Sequence, residues 1–495
     1  MKRIGSDAAF HATGGGGRTR VLPPVLLRRW QEGLSAWGAP PETRAALDRL
    51  GDPATIVVVT GQQPGVWGGP LFTLYKAATA VALAERLAAE SGRPAVPVFW
   101  VQGDDTDWGE VAWGALPRPD LGISRHRFLD ASASRRWVGS GTVSAPAEAL
   151  DLAAAWKRPA GLFDILPAPA PEELSPSFIR ALLSLFGSRG ILPLDARWPE
   201  IREAGAPLWQ RYLGLHQDLA RAVAVRGHAL AAKGLPAPLG EEASDHGLFV
   251  LEGERRRELD PAGWEAAVGD LLTRGEANRL APSVLLRAVL QDLLLCPVAQ
   301  VVGTAEGAYL HQLAPVYEGL GVPEPARVPR LRALLAPAGL LPAADRDCAR
   351  LDPEAWLAAA TAQVVSAEAR ARLEGLRRDL GQGFERLGQS VEGARDMAEI
   401  LASARRKMDY ELGRVEESLL RRGRQELYRR DPRLRNAGEF LRPRRGEQER
   451  GLSGGTLALL FGERAPEVLM AAARSHVANW TAGEERALIL EASDD

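Results

Sequence analysis

The chain has 495 residues, which is long for a single hydrophobic core, so we expect two or three packed units. Hydrophobic residues make up 46% and charged residues 25%, which are ordinary values for a globular protein. The 61 basic and 63 acidic residues give a net charge of −2, which argues against recruitment of nucleic acid or an anionic membrane by overall charge.

The cysteines and the N-terminus indicate an intracellular setting. Cys296 and Cys348 have no Cys-x-x-Cys spacing and no histidine at ligand spacing, so neither a disulfide framework nor structural zinc is expected. The segment Met1–Arg20 is polar and Gly-rich, and no segment has the roughly 20 apolar residues that a membrane helix needs. We therefore expect a cytoplasmic protein without a membrane segment.

After an N-terminal segment at residues 1–50, short apolar runs followed by Gly or Asp predict buried parallel strands. These runs are Ile56–Val59, Val96–Trp100, Ile191–Leu194 and Val298–Val302. The segment Phe72–Ala89 is rich in Ala and Leu and has no internal Gly or Pro, so it predicts a crossover helix. The chain therefore opens with a βαβ unit of Rossmann-like outline.

Two further runs, Leu248–Leu251 and Ala326–Val328, are expected to extend the same sheet. The expected boundaries are 51–335 for the core, about 118–188 and 197–275 for inserted connecting segments, and 336–360 for a Pro- and Ala-rich linker.

Between Leu373 and Leu419, apolar residues recur at steps of three and four, with Arg and Glu between them. This pattern predicts a long coiled coil or an antiparallel helix pair at 361–432, and a helical segment is expected at 433–495. Glycines between Gly381 and Gly393 weaken the first half, so a single amphipathic helix packed on the core is the alternative. The predicted fold class is α/β, with a Rossmann-like parallel-sheet core, helical insertions and a following α-helical coiled coil.

The loop between the first strand and the first helix is the richest candidate site. Its candidate residues are Thr60, Gly61, Gln62, Gln63, Gly69 and Pro70. Glycines let backbone approach a ligand closely, and a helix beginning at Pro70 would offer free amides to an anion. Lys76, one or two turns into the helix, could add a charge near phosphate. The loop matches neither a P-loop nor a Gly-x-Gly-x-x-Gly fingerprint, so a turn without a ligand is the alternative.

The acidic loop after the second strand runs from Gln102 to Glu110, and its candidate residues are Asp104, Asp105 and Asp107. Ligands in open α/β sheets bind beyond the carboxyl ends of the strands, so these carboxylates should face the same crevice as Gln62. They suggest Mg²⁺, an amine substrate or a general base. A solvated loop that caps a helix is the alternative.

A third segment carries Arg287 and Gln291, followed by Gly303 and Glu306 after a predicted strand. Arg287 could clamp a carboxylate or phosphate bidentately, and a structural ion pair is the alternative. No histidine pair has metal-like spacing, and no Ser-His-Asp or Cys-His set can be proposed, so no protein metal site is predicted.

Together these motifs resemble the bacillithiol-synthesis cysteine-adding (BshC) family, from about residue 20 onward. The matching segments are Thr60–Gly65, Gly69–Lys76, Val96–Trp100 with the acidic loop, Leu285–Arg287 with Gln291, Gly303 with Glu306, Val328–Arg330 and Gln448–Arg450. The resemblance implies a nucleotidyltransferase-like Rossmann core, interrupted by connecting peptides and followed by a coiled coil that promotes a homodimer.

The resemblance also implies a reaction, in which the carboxyl group of cysteine forms an amide with the amine of glucosaminyl-malate to give bacillithiol. ATP is expected to activate the carboxylate, with Mg²⁺ as a possible companion, and no nucleic-acid partner is expected. The loop at Thr60–Gln63 and the helix from Pro70, including Thr73 and Lys76, would hold phosphate or a malate carboxylate.

The remaining roles that we expect follow from charge and position. Asp104, Asp105 and Asp107 would orient the cysteine ammonium, the attacking amine or Mg²⁺. Arg287 and Arg330 would neutralise carboxylates, and Glu306 would hold hydroxyls or an amine.

The chain departs from the family pattern at three loop positions. Thr106 stands where the family usually has a histidine, Ser283 replaces an asparagine, and Gly303-Thr304-Ala305-Glu306 replaces Gly-Gly-Pro-x-Glu. The alternatives are therefore a ligase or transferase for another amine acceptor, and a non-catalytic dimeric paralogue that binds a small molecule.

Overall fold

The computed structural model describes residues 20–128, 136–144, 147–158, 171–240, 247–257, 259–341, 361, 365–390, 395–483 and 487–492. The chain divides into two compact units. The first comprises Met1–Leu116, Ser124–Gly339 and Gln448–Asp495, and the second comprises Pro117–Ile123 and Leu340–Glu447.

The strands are mostly short and carry the following bounds. They are β1 (Ile56–Gln62), β2 (Ala95–Val101), β3 (Trp113–Pro117), β4 (Ile123–Arg127), β5 (Thr142–Val143), β6 (Glu172–Glu173), β7 (Leu192–Asp195), β8 (Leu248–Glu252), β9 (Arg255–Arg257), β10 (Leu280–Pro282), β11 (Ala299–Val302), β12 (Ala326–Pro329), β13 (Ala333–Ala336) and β14 (Leu488–Glu491).

The helices fill the intervals between strands and most of the second unit. They are α1 (Pro24–Ala36), α2 (Pro41–Leu50), α3 (Leu71–Ser91), α4 (Trp108–Val111), α5 (Ala147–Ala155), α6 (Leu174–Phe186), α7 (Pro199–Ala204), α8 (Ala206–Leu213), α9 (His216–Ala231), α10 (Pro261–Thr273), α11 (Val284–Leu295), α12 (Thr304–Gln312), α13 (Ala314–Leu320), α14 (Ala367–Ser390), α15 (Arg395–Arg430), α16 (Leu434–Leu441), α17 (Gln448–Gly451), α18 (Gly455–Phe461) and α19 (Ala465–Thr481). Within the described ranges, no helix has the length and apolar character to cross a membrane.

The central sheet of the first unit is parallel, with the strand order β12-β11-β1-β2-β7. Its inner strands are buried on both faces, which is why their sequences are continuous apolar runs. The predicted Rossmann-like core is confirmed. The chain runs from β1 through β2 to β7, then continues on the other side with β11, so the strand order reverses between β1 and β11. Ligands of such sheets bind beyond the carboxyl ends of the strands at this reversal.

One predicted extension of the sheet is wrong. β8, predicted from Leu248–Leu251, lies in a separate antiparallel sheet of order β10-β8-β9. Glu252 pairs with Arg255, so the hairpin turns on two residues, and the first of them, Gly253, adopts the left-handed φ of 63°. A two-residue turn of this kind makes the neighbouring strand antiparallel.

The crossover helix α3 is buried along most of its length and packs against β1 and β2. It ends at Gly92, whose φ of 68° places it in the left-handed conformation common at helix ends. The helix begins at Leu71, one position later than predicted, so Pro70 is the residue before it. The Leu71 N–H donates to Leu452 O at 2.9 Å. The first helical amide is therefore bound by the C-terminal part of the chain.

The C-terminal part of the chain completes the first unit. The predicted helical segment 433–495 contains a strand as well, because β14 pairs in parallel with β13. β13 ends at Ala336, the first residue of the predicted linker, and residues 342–360 of that linker lie outside the described residues.

In the second unit, α14 and α15 lie side by side and antiparallel. Arg377 contacts Glu416 at 3.0 Å, and Arg405 contacts Glu385 at 3.9 Å. The predicted C-terminal helical region is confirmed, whereas the coiled coil and the homodimer stay predictions.

Candidate functional site

The reversal point of the sheet is marked by Lys76, whose side chain is 4% exposed. Its ammonium donates to Gly61 O at 2.8 Å and to Gln62 Oε1 at 3.0 Å, and lies 2.5 Å from Glu306 Oε2. The same Glu306 oxygen accepts the N–H of Gly303 at 3.2 Å. Helices α3 and α12, which follow β1 and β11, are thus joined above the carboxyl ends of both strands.

Gly303 leaves open a position that two cations face. A Cβ at Gly303 would lie 3.6 Å from Arg330 Nε and 4.0 Å from Lys76 Cε. The other Arg330 nitrogens bind Glu449, with Nη1 to Oε2 at 2.8 Å and Nη2 to Oε1 at 2.5 Å. Arg330 Nε is buried and has no hydrogen-bond partner among the described residues. A buried N–H without a partner is available to donate a hydrogen bond to a ligand oxygen.

Two predicted threonines are buried beside this crevice. The Thr60 hydroxyl donates to Val301 O at 2.9 Å, so it fastens β1 to β11. Thr73 lies in the first turn of α3, and a Cβ at Gly69 would approach its Oγ1 to 3.1 Å. Since Gly69 also has a φ of 71°, a side chain there would be strained.

The acidic loop places its carboxylates in different surroundings. Asp105 Oδ2 accepts from Arg287 Nη1 at 2.9 Å, and Oδ1 accepts the N–H groups of Thr106 at 2.6 Å and Asp107 at 3.1 Å. Burial alone would raise the pKa of Asp105, but Arg287 and these hydrogen bonds lower it to about 2. A carboxylate with so low a pKa is a weak base. Asp105 is therefore better suited to holding Arg287 than to accepting a proton.

Asp104 is buried, and burial raises its pKa although Arg287 opposes the shift. Arg256 and Arg202 also act on it electrostatically. Asp104 Oδ1 has no hydrogen-bond partner among the described residues. Sequence reasoning missed Arg202 and Arg256, because they lie in the inserted segment without a motif.

Asp107 is exposed and caps α4, since its Oδ1 accepts the N–H of Glu110 at 3.2 Å. For Asp107, the observed contact is therefore the one expected from the alternative prediction of a solvated loop that caps a helix. Beyond it lies a small cleft lined by Gln62, Gln63, Gly65, Gly69, Pro70, Glu110, Val111 and Trp113. Glu110 and Trp113 were not among the predicted site residues, although Glu110 ends the acidic loop.

Gln291 is turned toward a buried cluster in the first unit. Its Nε2 donates to Asp292 Oδ1 at 3.0 Å, and Asp292 Oδ2 accepts from the Tyr317 hydroxyl at 2.6 Å. Arg327 lies 3.5 Å from the same carboxylate. These contacts satisfy Gln291 within the protein, in contrast to Arg330.

A family model described as "Bacillithiol biosynthesis BshC, N-terminal Rossmann-like domain" matches residues 24–331, more than half of the chain. The chain belongs to the BshC family. The predicted resemblance is thereby confirmed, and every predicted site residue lies within the matched range of this BshC domain.

Three relatives named "Putative cysteine ligase BshC" give the scale of the similarity. Those from Salinibacter ruber, Koribacter versatilis and Thermus thermophilus are 30%, 33% and 33% identical over 327, 319 and 320 residues. The matches cover 60% to 63% of this chain and 58% to 61% of each relative. The chain therefore spans about three fifths of the length of these BshC relatives.

Among the described residues, no group of three or more His, Cys, Asp and Glu side chains is arranged to hold a metal ion. Mg²⁺ stays a prediction, and phosphate oxygens are the ligands that it commonly adds to one or two carboxylates.

Proposed function

We propose that this chain is a cytoplasmic, ATP-dependent ligase that joins cysteine to the amine of glucosaminyl-malate in bacillithiol synthesis. The name that its relatives carry supports the reaction class. The observation that carries the proposal is the crevice at Gly303, where Lys76 and the unpartnered Nε of Arg330 flank a position without a side chain. A triphosphate needs this combination of cations and close backbone approach.

ATP would supply a phosphoryl or adenylyl group that turns a cysteine carboxyl oxygen into a leaving group. Arg330 would donate its free Nε–H to a phosphate oxygen. The three N–H groups of Lys76 are already bound within the protein, so Lys76 would contribute its positive charge beside the crevice. Fixed cations stabilise the charge that develops during such a transfer.

Asp104 is the group that we assign to the cysteine ammonium. Its buried Oδ1 lacks a donor, and an ammonium brings three. Arg287 has a buried Nε without a partner among the described residues, so it can donate to a carboxylate while Asp105 holds its other end. In the second step the acceptor amine attacks the carbonyl carbon, the phosphate-bearing oxygen leaves, and the amine loses a proton.

The test is mass spectrometry of the full chain incubated with cysteine, ATP, Mg²⁺ and glucosaminyl-malate, comparing Gly303→Ala with Gly307→Ala. A methyl at position 303 meets no atom closer than 3.6 Å, so the variant should fold, yet it occupies the space assigned to phosphate. A methyl at position 307 makes an ordinary 3.5 Å contact with Val302 and points to no ligand. We expect Gly303→Ala to lose about tenfold to a hundredfold in kcat/KM for ATP and Gly307→Ala to retain wild-type activity.

Hydroxylamine separates the alternatives, because it traps activated cysteine as a hydroxamate without any acceptor. Hydroxamate without bacillithiol would indicate a ligase for another amine. Absence of both products in the wild type, with bacillithiol formed by Thr106→His, would mean that the missing imidazole disabled the reaction. Absence of both products in both proteins would support a non-catalytic paralogue.

We also propose that the chain forms a homodimer through α14 and α15. Leu376 and Leu387 are 48% and 49% exposed. They are eleven residues apart, which is about three helical turns, so both project from the same side of α14. Both helices mix Arg and Glu, so a two-fold contact between copies can pair opposite charges. Light scattering should give a dimer that becomes a monomer in Leu376→Glu/Leu387→Glu but not in Val225→Glu, which alters an exposed position of α9. A wild-type monomer would contradict the proposal.

A further inference from the structure

The cleft beyond α4 contains groups that the steps above do not use. We call it the acceptor cleft and define it by Gln62, Gln63, Gly69, Pro70, Glu110 and Trp113. We infer that the acceptor cleft binds an amino-sugar ring, with Trp113 against the ring and Glu110 at the reacting amine. The inference rests on the proposed ligase activity, because glucosaminyl-malate is the acceptor that carries such a ring.

Trp113 is the aromatic side chain suited to this role. It is 54% exposed on β3, whereas Trp67, Trp100 and Trp209 are 1% exposed or less. Arg127 lies 5.6 Å from the ring centroid, which steadies the indole without burying it. An exposed indole at the edge of a concave site offers an apolar face to a flat ligand, and the C–H face of a pyranose matches it.

The polar groups of the cleft connect it to the crevice. Gln62 lines the cleft, and its Oε1 accepts from Lys76, the cation assigned to phosphate. A ring in the acceptor cleft therefore lies next to the place where the cysteine carboxyl group is activated. This adjacency is what amide formation requires, because the amine must reach the activated carbon.

Glu110 is the carboxylate of the acidic loop that remains available for the amine. Asp105 is held by Arg287 and two backbone amides, and Asp107 caps α4, while Asp104 is buried. Gln63 and Glu110 line the same cleft, so an amide group lies on the same concave surface as this carboxylate. Partial burial, followed by the charges of Asp107 and Asp105, raises the pKa of Glu110 and makes it a better base. As the carbon–nitrogen bond forms, Glu110 accepts the proton that the amine loses.

An adenine ring is the competing occupant, and the charges disfavour it. Adenine is neutral and would place its ring beside the Glu110 carboxylate without a compensating cation. An amino sugar brings an amine that pairs with this carboxylate, and its hydroxyls match the amides of Gln62 and Gln63.

The test is calorimetric binding of glucosaminyl-malate, and separately of ATP, to the full chain and four variants. Trp113→Ala should weaken acceptor binding by about tenfold, which corresponds to about 1.4 kcal/mol. Trp113→Phe keeps an aromatic face and should bind within about threefold of wild type. Glu110→Gln should lower the rate of bacillithiol formation more than it weakens binding, and should leave hydroxamate formation from cysteine and ATP unchanged. Glu318→Gln, at an exposed position of α13, is the matched control.

Each result bears on the inference separately from the ligase proposal. Weaker ATP binding in Trp113→Ala, with acceptor binding intact, would assign the cleft to the nucleotide and overturn the inference. Absence of acceptor binding to the wild type, or equal binding by Trp113→Ala, would overturn it too. Trp113-dependent binding of glucosaminyl-malate without any bacillithiol would sustain the inference while the proposed ligase activity fails.

Discussion

Lys76 Nζ lies 2.5 Å from Glu306 Oε2, and the two side chains are 4% and 12% exposed. They belong to α3 and α12, the helices that follow β1 and β11 on either side of the strand reversal. The ion pair thus holds together the two elements that build the crevice. Its role in stability can be measured apart from its role in binding.

Lys76→Met should destabilise the first unit strongly, because it leaves the Glu306 carboxylate shielded from water without its cation. Breaking a buried pair typically costs about 3 to 5 kcal/mol, and Lys76→Met/Glu306→Gln should recover part of it. Thermal unfolding is the measurement. The control Arg221→Met breaks a pair with Asp218 in which both side chains are 72% exposed, and should change little. Equal shifts for the two single variants would contradict a buried role for Lys76.

The low pKa of Asp105 predicts that the folded chain loses stability in acid. Its pKa in the folded state, about 2, lies below the usual value of an aspartate, so its charged form stabilises the folded chain above about pH 4. This contribution, about 2 kcal/mol, should disappear as the pH falls from about 4 to 2. Unfolding free energies of wild type and Asp105→Asn should therefore differ by a constant amount between pH 5 and 7 and converge in acid. A difference that already changes between pH 5 and 7 would show that Arg287 does not lower this pKa.

Glu449→Ala should destabilise the first unit, because it deprives buried Arg330 of both its bidentate contacts. We expect about 3 to 5 kcal/mol, measured by denaturant unfolding, and a further loss of ATP binding as Arg330 leaves the crevice. Glu463→Ala, at an exposed position after α18, should stay within about 0.5 kcal/mol of wild type. Unchanged stability in Glu449→Ala would mean that the C-terminal segment does not support the crevice.

The predictable part of the fold is the part encoded locally. β1, β2, β7 and β11 are buried and largely apolar, as strands of a covered parallel sheet are, and such runs are visible in any sequence. β12 is a partly buried edge strand that contains Arg327. β8 resembles the first four strands, yet the turn at Gly253 directs it into another sheet. The apolar composition of β8 was enough to predict a strand, but the strand that pairs with it depended on a hairpin turn of two residues.

The candidate site was predictable by position but not by role. The order of strands and loops along the chain is enough to place Lys76, Asp105 and Glu306 at one edge of the sheet. What each carboxylate does depends on partners far along the chain, since Arg287 is 182 residues from Asp105 and Glu449 is 119 residues from Arg330. No local pattern encodes such pairs, and the strand β14 escaped prediction for the same reason.

Substitutions of Asp107 can distinguish a structural role of the acidic loop from a catalytic one. Its carboxylate accepts the N–H of Glu110 at the start of α4, and asparagine caps helices about as well as aspartate, whereas alanine does not. Asp107→Asn should therefore keep near-wild-type kcat for bacillithiol formation, while Asp107→Ala should lower it by displacing Glu110 and should cost about 1 kcal/mol of stability. Steady-state kinetics with thermal unfolding of both variants provide the check. Equal losses of kcat in the two variants would show that the charge of Asp107 takes part in the reaction, as the clustering of acids in this loop suggests.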